Sequence, residues 1–539
     1  MDVEPAGICP LTTDAALRRA ATIAPDLEAV VTPHDRVTYA ELAAEVARVR
    51  SALAAAGIGR GDHVGICLGN GPAWVALFLA VGSLGAVAVP VNTRLRSEEF
   101  AYVLRQARVR VLFLADRLLT ADLTGVLRQA CPAVDRALPD PALPDLRRVV
   151  VAGADVPAGA GSWADFLAAG GADVPAGCTP DDVLLVQYTS GTTSYPKGVL
   201  LTHRSMCADA FFSGGRLGLR TGDRFHSARP FFHVAGTTLS ILSCLQHVAT
   251  LVAMERFEAG EALRLFERER CTHFSGNDTI ALMLLNHPDR ARRRLVLRGA
   301  WLAASPTVVR RVIDELGARE CVVGYGLSEA SPNVAQSAWW EPESVRAAAR
   351  MLPEPGVSVR VCDPSSGVDR PVGTPGEIVV RGWNVMLGYY DLPADTAAVL
   401  SPDGWLRTGD LGRLGEDGRL EFLGRLKEII RVGGENVAPA EVENVLHRHP
   451  DIRQAVVVGV PDPRLVEVPF AFVVLNEGSA ATPEELLAWL RPHLAGFKVP
   501  RRVCLVDGFE RFGVTASAKV QKRHLVAHAV RLLAAEDAR

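Results

Sequence analysis

Residues 73–91, AWVALFLAVGSLGAVAVPV, form an uncharged and almost wholly apolar stretch. At 19 residues it reaches the length needed to cross a bilayer. Gly82 and Gly85 interrupt it, Pro90 closes it, and no basic flank precedes it. The pattern therefore predicts a buried helix over 74–84 followed by a short buried strand over 86–89, not a membrane span. Upstream, residues 36–39 read as a strand, and Thr38 with Glu41 forms a capping box for the helix that follows. Residues 64–68 and 109–114 read as strands, with a helix over 100–105 between them. Strands alternating with helices predict an α/β layered domain. Residues 132–177, rich in Ala, Pro, Gly and Asp, read as a loose surface connection. From about Val357 short β segments and tight turns (GVDRPVGTPGE, SPDGW, GEDGR) predict a small β-rich part, and a further α+β piece begins near Arg425 and runs to the end.

Composition narrows the class. A chain of 539 residues, 48% hydrophobic and 22% charged, has the material for a large core divided among about three to four domain-sized units. A net charge of −3 speaks against a nucleic-acid binder, which carries a basic face. The first ten residues, MDVEPAGICP, are acidic where a secretory signal is basic, so export is not expected and a cytoplasmic location is. The ten cysteines show neither a CxxC pair nor a Cys/His cluster of zinc spacing and read as thiols in a reducing compartment.

The chemistry concentrates in VQYTSGTTSYPKGVLL, residues 186–201. An apolar strand runs into Thr189, Ser190, Gly191, Thr192, Thr193 and Ser194, then Pro196, Lys197 and Gly198, and a second apolar strand follows. Hydroxyls and backbone N–H groups can donate to phosphate oxygens, glycine permits close approach, and the lysine offsets charge. By composition alone the same segment is also a polar hairpin turn. It is not a Walker A loop, because the GK[ST] ending is missing and a strand follows where a helix would begin.

In order, however, YTSGTT-xx-PKG resembles the signature loop of the acyl-adenylate-forming superfamily, which includes acyl-CoA and aryl-CoA ligases, luciferase and the adenylation domains of peptide synthetases. Ser194 stands where that family usually has glycine. Companion segments follow in the family's order. RPFFHVAG (229–236) resembles the aromatic segment beside the acyl pocket, which implies a pocket role for Phe232 and His233. GYGLSEASP (324–332) resembles the YGxTE segment. The resemblance puts Tyr325 against adenine, makes Gly326 and Ser328 nucleotide-binding, and makes Glu329, together with Thr192, a magnesium ligand. GWLRTGDLG (404–412) carries Asp410, which by resemblance grips both ribose hydroxyls. GRLKEIIRVGGENVAPAEVE (424–443) resembles the hinge and the start of the C-terminal domain, with Arg425 on ribose or phosphate and Lys427 at the hinge; its GGEN form is that of acyl-CoA ligases. TASAKVQKR (515–523) resembles the TxTGKxxKR ending, which makes Lys519 the lysine bridging substrate carboxylate and α-phosphate, with Ala518 in place of the usual glycine.

The resemblance implies an α/β fold: an N-terminal AMP-binding domain over 1–424, its β-rich part near 357–424, and a mobile C-terminal α+β lid domain over 425–539. It implies ATP, magnesium and CoA as co-reactants and a small carboxylic acid as substrate, converted to acyl-AMP with loss of pyrophosphate and then to a thioester. The catalytic set is Lys519, Glu329, Thr192 and Lys197. Carrier-protein loading, or an unusual acceptor such as nitrite in the diazotisation of an amino-aryl acid, are the alternatives. Candidate pocket residues are Phe232, His233, Asp278, Trp301 and Ala303. The bulk of Trp301 favours a short or flat acid. Asp278, where relatives commonly have proline, reads either as a partner for a substrate amine or as a capping aspartate.

Overall fold

The computed structural model describes residues 7–189, 196–433, 435–515 and 520–537. Two large sheets organise the first three-quarters of the chain. In one, six parallel strands lie side by side in the order Val322–Gly326, Gly299–Ala303, His273–Asn277, Arg224–Ser227, Thr250–Ala253 and Glu28–Val31, with antiparallel strands at both edges. In the other, Val87–Pro90, His63–Cys67, Val111–Ala115 and Arg148–Ala152 are parallel to one another and to Val183–Tyr188, which turns back through Gly198–Thr202. A parallel sheet is covered on both faces, which explains why its strands read as short apolar runs without alternation.

The uncharged run at residues 73–91 is the helix Pro72–Ser83, with proline in its first turn, followed by the strand Val87–Pro90. From Trp74 to Ser83 every side chain of that helix is buried, in a core that also takes side chains from both sheets. Among the described residues no helix is long and apolar enough to cross a membrane. Thr38 and Glu41 form the predicted capping box on the helix Tyr39–Ala55.

One expectation needs correction. Residues 132–177 are not merely a surface connection: Arg148–Ala152 is a strand of the second sheet, with Val149, Val150 and Val151 buried. Three valines carry little signal between long Pro- and Gly-rich flanks, yet they suffice once a parallel neighbour covers them.

The β-rich part is a four-stranded antiparallel sheet of Val357–Cys362, Gly376–Gly382, Leu406–Leu414 and Leu420–Arg425. The short turn Leu426–Glu428 leads from it into a five-stranded sheet built on the long hairpin Ile452–Asp462 and Val466–Leu475. Helices Pro439–Leu446, Pro483–Leu490 and Lys522–Asp537 accompany that sheet. Its apolar clusters, around Val457, Ala471 and Leu486 and around Phe470, Phe472 and Leu525, draw their buried members only from residues beyond 429.

Tyr39 joins distant parts of the large core. Its buried hydroxyl donates to the carbonyl of Ala249 at 2.7 Å and lies 3.1 Å from that of Cys244. Removing it deletes the buried hydrogen bond to Ala249, so Tyr39→Phe is expected to lower stability by about 1–2 kcal/mol. An unchanged midpoint in urea unfolding would contradict this.

Candidate active site

The antiparallel pair Val183–Tyr188 and Gly198–Thr202 holds the base of the hydroxyl-rich loop, and the Thr189 N–H donates to the Lys197 carbonyl at 3.0 Å across its neck. Ser190, Gly191, Thr192 and Thr193, together with Ser194, lie outside the described residues. Lys197 is ion-paired with Asp395 and sits 5.0 Å from the ring centre of Tyr389. The Tyr389 hydroxyl in turn donates to Glu329 Oε1 at 2.9 Å. The lysine and the carboxylate thus meet across one aromatic ring, although they are 132 positions apart in the chain. Burial, and then the Glu329 charge, push the Tyr389 hydroxyl pKa up, which keeps it a donor.

Glu329 lies on the short turn Ser328–Ala330 after the strand Val322–Gly326. Gly326 is required there: a Cβ would stand 1.8 Å from the Pro332 carbonyl oxygen. The Glu329 carbonyl accepts the Met386 N–H, which ties this turn to the segment carrying Tyr389. Ser328 is half-buried beside it. A cleft of about 300 Å³ opens here, lined by Leu327, Glu329, Tyr389, Leu406, Thr408 and Gly409 among others.

Asp410 stands next to this cleft on the strand Leu406–Leu414, opposite Arg425 in the register of the next strand. It is only 4% exposed. Its Oδ2 accepts the Tyr325 hydroxyl at 3.0 Å, and Arg425 Nε lies 3.5 Å from Oδ1. Tyr325 is stacked on Phe422 with ring centres 5.3 Å apart and planes 23° from parallel. Burial, then Asp410, raise the Tyr325 hydroxyl well above the usual phenol range. A carboxylate held on both sides has its remaining lone pairs fixed in direction, which is what recognition of a diol needs.

The predicted acyl segments end at the C-terminal edge of the parallel strands, where open α/β sheets bind ligands. Gln187, one residue before Tyr188, donates to the Phe232 carbonyl at 3.1 Å, so the loop strand and the aromatic segment are joined directly. His233 Nδ1 accepts the Ala235 N–H at 3.2 Å. Trp301, on the strand Gly299–Ala303, is 8% exposed and donates from Nε1 to Gln336 Oε1 at 2.9 Å; Ala303, at the end of the same strand, is exposed.

Asp278 has a different setting from the one expected. It opens the helix Asp278–Leu285, whose cap is Asn277, and its Oδ1 accepts both the N–H and the hydroxyl of Ser305 at 2.9 Å. The charges that act on it are those of His447, just after the helix Pro439–Leu446, and Glu443, on that helix. Burial raises the Asp278 carboxyl and lowers the His447 imidazole. Asp278 therefore belongs to a seam with the C-terminal helices, where Thr307 also donates to Asn444 Oδ1 at 2.8 Å. One oxygen of the carboxylate is thus engaged by Ser305.

Lys427 is exposed on the turn Leu426–Glu428, between the four-stranded and the five-stranded sheet. Glu428 on that turn pairs with Lys522 at 3.1 Å, and Lys522 also reaches Glu443 at 3.4 Å. Burial works against the Lys522 charge, but the two carboxylates outweigh it and hold its pKa above the ordinary lysine value. Lys519 lies outside the described residues. Tyr389, Asp395 and Phe422 were not anticipated from the sequence. The only local signal was a Tyr-Tyr pair after Gly388, which no periodicity singles out.

The family model for AMP-binding enzymes matches residues 17–390, and that for the AMP-binding enzyme C-terminal domain matches 441–519. The chain is 38% identical over 527 residues to the 3-[(3aS,4S,7aS)-7a-methyl-1,5-dioxo-octahydro-1H-inden-4-yl]propanoyl:CoA ligase of Mycobacterium tuberculosis, with 95% of this chain and 99% of that one covered. It is 32% identical over 536 residues to the mitochondrial medium-chain acyl-CoA ligase ACSF2 of Homo sapiens, covering 95% of this chain and 86% of that one. Among solved structures, the anthranilate CoA ligase AuaEII in complex with anthranoyl-AMP superposes with a TM-score of 0.86 at 25% identity, covering 98% and 99% of the two chains. With both family domains present in order, and relatives alike over nearly their whole length, the chain belongs to the AMP-binding enzyme family and is an adenylating enzyme of the acyl-CoA synthetase type.

Proposed function

We propose that this acid–thiol ligase activates a small carboxylic acid at the junction of Lys197, Glu329 and Asp410 and then transfers the acyl group to CoA, in the cytoplasm. The observation that carries the residue roles is the convergence of Lys197 and Glu329 on Tyr389 beside the Asp410–Tyr325 pair. It joins the loop suited to phosphate with a carboxylate suited to a cation and an acceptor suited to ribose.

A carboxylate is a poor electrophile until one of its oxygens becomes a good leaving group. Attack of that oxygen on the α-phosphorus of ATP forms a P–O bond, breaks the bond to pyrophosphate, and leaves an acyl-AMP whose nucleotide departs readily. Two anions must approach, so donors and cations fixed beforehand lower the barrier. Lys197 and the loop 189–197 take the phosphates, Asp410 and Arg425 the ribose, and Lys519 the carboxylate and α-phosphate. Tyr389 holds the positions of Lys197 and Glu329 relative to each other. The residues present also fit magnesium: Glu329 places one carboxylate at the cleft, which suits an ion that keeps water and phosphate oxygens as its other ligands. Glu329, with Thr192, would hold it, and its charge would offset that of the phosphates.

For the second half-reaction the C-terminal domain turns about Lys427, exchanging Lys519 for residues that admit the thiol. The chain enters a different sheet on each side of the turn Leu426–Glu428, which supports that position for the hinge. The thiol attacks the acyl carbon, AMP leaves, and a thioester remains. CoA is assigned as acceptor over a carrier-protein thiol.

Thioester and AMP formation should be followed with ATP, CoA and a panel of acids; AMP release with no CoA thioester for any acid would exclude CoA as acceptor. Asp410→Ala is expected to raise the KM for ATP about tenfold to a hundredfold, the effect of losing a charged hydrogen-bond acceptor. A KM within twofold of wild type would remove Asp410 from nucleotide recognition. Lys427→Pro, which fixes φ at the hinge, is expected to keep pyrophosphate exchange but lose thioester formation. Equal loss of both half-reactions would contradict the hinge.

A further inference from the structure

Arg229 opens the aromatic segment of the acyl site, and none of the roles above uses it. Its backbone is anchored: the Arg229 carbonyl accepts Asn70 Nδ2 at 2.9 Å, and the same Asn70 amide takes the Phe231 N–H on its Oδ1 at 2.8 Å. The guanidinium lies over the indole of Trp301, with Cζ 4.4 Å from the ring centre. That indole is itself fixed, by its hydrogen bond to Gln336 and by the absence of a side chain at Gly324, where a Cβ would fall 2.4 Å from Trp301 Cζ2. The stack Gly324–Trp301–Arg229 is therefore built to hold the cation in one place.

Held there, the cation has no anionic partner among the described residues. Although part of the residue is exposed, Nη1 and Nη2 are both shut off from solvent and make no hydrogen bond. Burial alone, with no neighbouring carboxylate, draws its pKa down to about 9, so it remains charged at neutral pH. An aromatic face attracts a guanidinium but satisfies none of its N–H donors. A buried, unpaired cation is strongly unfavourable unless something supplies the missing anion. Other partly buried arginines among the described residues are paired: Arg298 has Asp223 and Glu320, and Arg216 has Glu354. Arg229 is the exception at the acyl site.

Register brings the segment of Arg229 beside the strand of Trp301. Ser275 pairs with Trp301, and Ser275 donates to Ser227 two residues before Arg229, so the three strands present these side chains on one sheet face. Gly324 on the next strand directly precedes Tyr325. Two adjacent N–H donors in one plane match the two oxygens of a carboxylate, whereas a ketone or hydroxyl engages only one of them.

Building on the adenylation proposed above, we infer that Arg229 is a specificity-determining residue that binds a second carboxylate at the far end of the substrate. The acid is a dicarboxylate, one end activated beside the nucleotide and the other neutralised on the Arg229–Trp301 stack.

The test compares acids of matched chain length that end in a methyl, a ketone or a second carboxylate, using full-length protein and measuring acid-dependent pyrophosphate exchange. Wild type is expected to favour the dicarboxylate in kcat/KM. Arg229→Met is expected to lower its kcat/KM about a hundredfold, mainly through KM, and to leave or raise that of the methyl-terminated acid. Arg229→Lys, which keeps charge but not the fork, is expected to recover part of the loss. A preference for the ketone or methyl acid in wild type, or an equal loss for all three acids in Arg229→Met, overturns the assignment. Exchange with monocarboxylates alone overturns it while leaving adenylation intact, and exchange with no acid overturns both.

Discussion

Two anions, a nucleotide and an acid, have to come within bonding distance, and every element of the site answers that repulsion. Cations in water would screen it weakly, because their fields are spread through a high dielectric. The protein instead holds its charges in partly desolvated places, each with a partner that fixes its position. Lys197 is pinned by Asp395 and the Tyr389 ring, Glu329 by the Tyr389 hydroxyl, and Asp410 by Tyr325 and Arg425. These residues come from four stretches of chain that only the packed sheets bring together, which is why so large a core stands behind so small a cleft. The bonds Gln187 to Phe232 and Met386 to Glu329 are where the sheets, loops and turns become one site.

Adenylation and thioester formation require different surroundings for the same acyl carbon, and the turn proposed about Lys427 would supply them. The C-terminal sheet has its own apolar clusters, while the contacts described across the seam are polar: Asp278 with His447 and Glu443, and Thr307 with Asn444. A polar seam can be exchanged for water at little cost, whereas a shared apolar core cannot. The seam is thus suited to parting while each body stays folded.

Much of this was legible in the sequence because the site is carried by short segments of fixed order. The strand–loop–strand around Lys197, the turn of Glu329 and the strand of Asp410 each carry their chemistry locally, and the capping box at Thr38 and the buried helix at residue 74 follow from local pattern. What was not legible depends on tertiary neighbours. Tyr389 looks ordinary until Lys197 and Glu329 flank it, and the valines at 149–151 look like part of a loop until a parallel strand covers them. Asp278 could be read as facing a substrate because no periodicity predicts which helix of the C-terminal domain lies opposite it. Arg229 is the same lesson in reverse: only the structure reveals a buried cation without an anion.

The central claim is that this protein joins an acid to a nucleotide reversibly, before any thiol is involved. The most direct measurement is exchange of labelled pyrophosphate into ATP by the wild-type protein with magnesium and an acid, in the absence of CoA. Label is expected in ATP only when the acid is present; no label with any carboxylic acid, under conditions where ATP binds, would rule out adenylation by this protein.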